Sequence, residues 1–125
     1  MLESTLCDAV ESLITKCQMS EYQQKKCREF FSVQRVNDFI YPGNLKSRIA
    51  VDIKVAYHML ESLKKQGFLS NLYEVYCFDC NRSKGIFLDS LVSFNPDMYC
   101  DFCQKKLTLE DNVIVLYKVV HLWMI

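Results

Sequence analysis

Residues 77–103 read CFDCNRSKGIFLDSLVSFNPDMYCDFC, and the knuckles at their two ends, Cys77-Phe78-Asp79-Cys80 and Cys100-Asp101-Phe102-Cys103, decide how the rest of the chain is read. Two thiolates held two residues apart grip one metal ion from a tight turn. A second turn of the same kind completes a tetrahedral shell of four sulfurs. With nineteen residues between the knuckles, the spacing predicts one structural Zn²⁺ bound by Cys77, Cys80, Cys100 and Cys103. A thioredoxin-like redox pair is instead a single Cys-x-x-Cys beside a βαβ unit, and disulfide frameworks belong to secreted chains. Four thiolates leave no open position for water or substrate, so this metal is expected to hold a fold and not to perform chemistry.

At 125 residues, half of them apolar, the chain can build one domain, or two very small ones sharing a core. No apolar run is long enough to span a membrane, and Met1 to Val10 carries Glu3 and Asp8 where a signal peptide would be basic. The expectation is a soluble, cytoplasmic protein. Seven cysteines suit a reducing compartment, with Cys7, Cys17 and Cys27 read as small hydrophobes in helical patterns. Residues 1–70 hold ten Lys/Arg against eight Asp/Glu, and residues 71–125 hold five against seven. The carboxy-terminal part is therefore acidic and poorly suited to bind phosphates.

Outward from the knuckles, apolar periodicity organises the first half. Leu2, Leu6, Ala9, Val10, Leu13, Ile14 and Cys17 repeat at helical spacing. A second helix starts at Ser20, with Gln23 placed to complete a capping box, and presents Tyr22, Cys27, Phe30 and Phe31. Pro42-Gly43 punctuates the chain. Leu45, Ile49 and Val51 then space a short helix and a turn, Asp52 caps the next helix, and Ala56, Met59, Leu60 and Leu63 form its buried face before Gly67 ends it. Leu72 to Tyr76 reads as a strand running directly into Cys77, Gly85 to Leu88 as a second, Asn95-Pro96-Asp97 as a turn, and Asn112 to Val120 as a third strand.

The segment Leu45-x-x-x-Ile49-Ala50-Val51-Asp52, followed by a helix and a strand, resembles the opening of a winged-helix, or helix-turn-helix, domain. Winged helix followed by a Cys₄ ribbon is similar to the build of the alpha subunit of general transcription factor E and of short bacterial proteins of the same order. The resemblance covers roughly residues 20–120. It implies an α+β fold in which the zinc ribbon continues from the wing strands. The expected parts are an amphipathic helix over residues 1–19, a winged helix over 20–76, a ribbon with the final strand over 77–120, and an apolar tail over 121–125.

In helix-turn-helix readers the capped helix enters the major groove. Here its solvent stripe is Lys54, His58, Glu61, Ser62 and Lys65, in which Lys54, His58 and Lys65 suit DNA while Asp52 and Glu61 repel phosphates and Glu61 with Lys65 makes an ordinary surface pair; Lys25, Lys26 and Arg28 of the preceding helix are placed to grip phosphates. No phosphate loop, nucleophile–base pair or deaminase motif accompanies the knuckles, so no enzyme is expected. Leu122, Trp123, Met124 and Ile125 form an apolar tail that serves either as core or as a docking surface anchored by Trp123. Two functions follow. One is a non-catalytic adaptor that binds a protein partner, or itself, in a regulatory or anti-phage-type assembly. The other is a DNA-binding transcription regulator that dimerises through its first helix and reads DNA with residues 52–66.

Overall fold

The computed structural model describes residues 4–124, so Leu2 and Ile125, both given roles above, lie outside the described residues. Thr5 fixes where the first helix begins. Its hydroxyl accepts from the Asp8 N–H at 3.0 Å while the Asp8 carboxylate accepts from the Thr5 N–H at 3.2 Å, and the capping box starts α1 (Leu6–Lys16). The helix therefore begins at Leu6, not near Leu2. Ser4–Thr5 are instead extended as β1, which pairs antiparallel with β6 (Trp123–Met124).

A second capping box, Ser20 with Gln23, opens α2 (Glu21–Ser32), and the Gln23 side-chain amide donates onward to the Ala50 carbonyl at 2.7 Å. Pro42 sits at the first position of α3 (Pro42–Ile49), where its missing N–H costs nothing. Ala50 then takes a left-handed conformation, φ 57°, which turns the chain into α4 (Ile53–Lys65). Asp52 occupies the N-cap position of α4 without making a side-chain cap hydrogen bond, so its charge acts only on the helix dipole. At the other end Gly67, at φ 95°, lets its own N–H bond Lys64 and the Phe68 N–H bond Leu63, a Schellman closure.

The strands β2 (Phe39–Ile40), β3 (Leu69–Cys77), β4 (Arg82–Leu88) and β5 (Val113–Val119) make an antiparallel sheet in the order β2-β5-β3-β4. The fold is mixed α+β, with four α-helices among the described residues. It divides into two compact units, 1–70 with 117–125, and 71–116. The chain leaves the first unit within β3 and returns within β5.

In the first unit Leu6, Ala9, Val10, Leu13 and Ile14 of α1 are buried in one cluster with Cys27, Phe30 and Phe31 of α2, Leu45 and Ile49 of α3, and the apolar face of α4. The first helix is thus part of this core. Its apolar face is already covered within the chain. Cys27 is buried and its thiol is pushed up to about 12 by desolvation, so it behaves as a hydrophobe. Cys17 is half-buried and also raised by burial, whereas Cys7 is exposed on α1. Tyr22 is exposed as well, beneath the Lys26 ammonium at 5.6 Å from its ring centre.

The second unit has far less apolar interior. Its buried cluster is Val75, Cys77, Cys100 and Leu107, with Cys80, Leu88, Phe94 and Met98 packed partly against it. Asn112 serves it as a polar hub: its side chain accepts from the Thr108 N–H at 2.9 Å and donates to the Tyr76 carbonyl at 3.0 Å.

Candidate metal centre

β3 ends on Cys77, and the chain turns through the first knuckle directly into β4. Both knuckles have the same closing geometry: Asn81, after Cys80, is at φ 54°, and Gln104, after Cys103, is at φ 66°. In each knuckle this left-handed residue turns the chain as it leaves the second cysteine. Glycine would be the unstrained choice there, and the chain makes the turn without it.

The two turns bring all four sulfurs within 4.8 Å of one another. Cys77 Sγ stands 3.7 Å from Cys103 Sγ, and Cys80 Sγ stands 3.8 Å from Cys100 Sγ. Sulfurs at about 2.3 Å from a central ion on a regular tetrahedron are about 3.8 Å apart, so the donor set fits a Cys₄ metal site. A disulfide would need about 2.05 Å. Cys77 and Cys100 are buried, Cys80 is half-buried and Cys103 is exposed.

The electrostatics are uneven across the four thiols. The Cys103 and Phe102 backbone N–H groups and the Lys84 ammonium donate to Cys100, and together they bring its thiol down to about 6. Cys80 is pushed up to about 12, first because its thiol donates to Cys103 and then by desolvation. Two ion pairs brace the knuckles from outside, Lys105 with Asp79 at 2.9 Å and Lys84 with Asp101 at 3.0 Å.

Lys84 and the left-handed Asn81 and Gln104 were not among the residues singled out from sequence. The sequence feature that marks these turns is that no glycine follows either knuckle, at positions 81 and 104.

The other expected site residues are scattered. Lys54, His58 and Lys65 are all exposed on α4. Glu61 does not pair with Lys65. It binds Lys64 at 2.9 Å and accepts from the Tyr117 hydroxyl, and these two partners lower its carboxyl below the usual range. On α2, Arg28 is tied to Glu11 of α1 through two hydrogen bonds of 2.6 and 3.0 Å, and Lys26 lies 3.6 Å from Glu29, while Lys25 is exposed. Arg28 therefore joins two helices of its own unit. His121 is exposed.

In the tail, Leu122 packs against the core of the first unit and its carbonyl accepts from the Leu6 N–H at 2.7 Å. Trp123 is 55% exposed. Nothing is assigned to the Met124 side chain or to Ile125, which lie outside the described residues.

Among the described residues no helix is long and apolar enough to cross a membrane. The chain matches no protein-family model, no curated protein and no solved structure.

Proposed function

We propose that this chain is a zinc-stabilised, non-catalytic adaptor of the cytoplasm, built as a winged helix with a Cys₄ ribbon, and that it binds a protein partner through the ribbon. One observation carries the reading. Residues 71–116 expose Phe78, Leu91, Val92, Tyr99, Phe102 and Leu109 on a unit that has little apolar interior of its own. Val92 is 91% exposed, beside an open hollow of about 380 Å³ lined by Leu91, Phe94, Pro96, Leu107 and Leu109. Lys106, Thr108 and Glu110 complete the lining, and apolar side chains exposed beside polar ones are characteristic of protein contacts.

The same residues hold four Lys/Arg against seven Asp/Glu, net −3, and a Zn²⁺ with four thiolates adds two further negative charges. That balance disfavours phosphate and favours a basic protein face. Affinity capture from nuclease-treated native lysate is the test. Capture should persist after nuclease and fall at least tenfold in Val92→Asp, which burdens the apolar surface with a charge. Capture abolished by nuclease, or unchanged by the substitution, would end the reading.

A second reading has its own support. Residues 42–66, covering α3 and α4, carry five Lys/Arg against two Asp/Glu, and one of those acids, Glu61, is already occupied by Lys64 and Tyr117. The exposed Lys54, His58 and Lys65 then face solvent in a positive field suited to duplex DNA. If DNA is the ligand, binding measured by fluorescence anisotropy should weaken steeply with salt, and Lys54→Glu should reduce it without moving the thermal midpoint. No binding at low salt would remove this reading and leave the adaptor.

A further inference from the structure

Among the described residues Lys84 is the basic side chain that hydrogen-bonds a knuckle sulfur, and it sits where the backbone of its strand departs from regular pairing. In the β3–β4 ladder Tyr76 faces Ser83 and Glu74 faces Phe87. Between those pairs β3 has Val75 alone, whereas β4 has Lys84, Gly85 and Ile86, so the ladder bulges there. Gly85 sits at φ 70°, a conformation that glycine adopts without strain, and its N–H is held by the Ser83 hydroxyl at 3.1 Å. Bulges of this kind re-aim a side chain out of strand alternation.

The result is unusual for a lysine. Its side chain is only 9% exposed, its ammonium donates to Cys100 Sγ at 3.2 Å and to the Asp101 carboxylate at 3.0 Å, and it lies 5.8 Å from the centre of the Phe102 ring. Long cationic side chains ordinarily carry their charge out to water. Asp101 alone is a poor reason to give that up, because its own side chain is 86% exposed and well solvated. The remaining acceptor is the sulfur cluster, which bears a charge of −2 once four thiolates hold a divalent ion.

We infer that Lys84 is a positioning residue for the metal centre, the counter-charge whose hydrogen bond to Cys100 tightens metal binding and blunts the reactivity of the coordinated thiolate. The inference rests on the zinc reading and deepens it. A Cys₄ centre without such a donor keeps its full negative charge on the sulfurs, where electrophiles and oxidants attack. With Lys84 in place the centre stays structural.

The test begins with elemental analysis of the wild-type protein, since absence of zinc there would overturn the metal reading itself. Given zinc in the wild type, chelator competition should show Lys84→Met, which keeps the stem and removes the charge, weakening Zn²⁺ affinity 10- to 100-fold, the usual effect of losing an outer-shell partner. Lys84→Arg should stay within about threefold of wild type. Alkylation of the zinc-loaded thiolates should speed up several-fold in Lys84→Met, and the thiolate-to-metal charge-transfer band of cobalt-loaded protein should move to lower energy. Asp101→Asn should leave affinity and band unchanged.

Affinity and band unmoved in Lys84→Met would overturn the inference. So would equal losses in the Met and Arg variants, which would make the role one of packing. A loss in Asp101→Asn as large as in Lys84→Met would assign the effect to the ion pair instead. Should Lys84→Met fail to fold, Lys84→Gln takes its place, with the same loss of affinity and band shift expected and the same null result overturning the inference.

Discussion

Removing the metal with a chelator, or replacing Cys100 with serine, is expected to unfold residues 71–116 while the helices of the first unit persist. The reason is the size of the interior. Two of the four residues in the second unit's buried cluster, Cys77 and Cys100, are themselves sulfur donors, so taking the ion away also undoes the packing. Structural Zn²⁺ contributes about 10–16 kcal/mol to small metal-folded modules at neutral pH, and without the two sulfur donors that cluster keeps only Val75 and Leu107. Because the thiols must lose protons to bind the ion, metal affinity should also fall as pH is lowered. Hydrogen exchange is the measurement. Amides of β4 and of residues 104–112 should lose protection in the chelated protein, and those of α2 and α4 should keep it. Full protection of β4 after the metal is gone, or an iron content in place of zinc, would sink the assignment.

What could be read from the sequence was local chemistry at fixed spacing. The knuckles declared a four-sulfur cluster because two residues between cysteines leave little geometric freedom. The Ser20–Gln23 capping box and the Gly67 stop worked for the same reason, each depending on atoms three or four residues apart. The misreadings were non-local. Helical periodicity near Leu2 gave no warning that Ser4–Thr5 pair with Trp123–Met124 across the length of the chain. Glu61 was matched to Lys65 by spacing, but Tyr117, 56 residues away, supplies a partner that no local pattern could reveal. Lys84 escaped notice because strand alternation says where a side chain points only while the ladder stays regular, and at Gly85 it does not.

These placements also move the weight of the adaptor proposal. From sequence, the tail offers a docking surface anchored by Trp123 and the first helix a face for dimerisation. Yet α1 is covered within its own unit and Leu122 packs on the same core, so the ends no longer stand out as spare. Of the fifteen large apolar side chains exposed among the described residues, eight lie on the smaller, acidic second unit and seven, Trp123 included, on the first. On the proposed reading, a metal ion held by the four cysteines would take the place of a larger core and leave apolar residues free for the surface. The small interior and the exposed Val92 are thus two sides of one economy of sequence.

Deleting Leu122 to Ile125 should accordingly destabilise the first unit by about 3 kcal/mol. Partial burial of Leu122 contributes about 1–2 kcal/mol, and the Leu6–Leu122 hydrogen bond with the adjoining β1–β6 pairing contributes about 1 kcal/mol per bond. Trp123→Ala removes a ring that is 55% exposed, and should cost no more than about 1 kcal/mol. Denaturant titration separates the two, because a pure stability change shifts the midpoint and leaves the slope alone. A deletion variant as stable as the full chain would show that the tail is not core and would return it to the list of docking surfaces. If the deletion behaves as expected while Trp123→Ala keeps its stability but loses the captured partner, the ring is a contact and the backbone beneath it is its support. Loss of stability without loss of capture would instead leave partner binding to the surface around Val92.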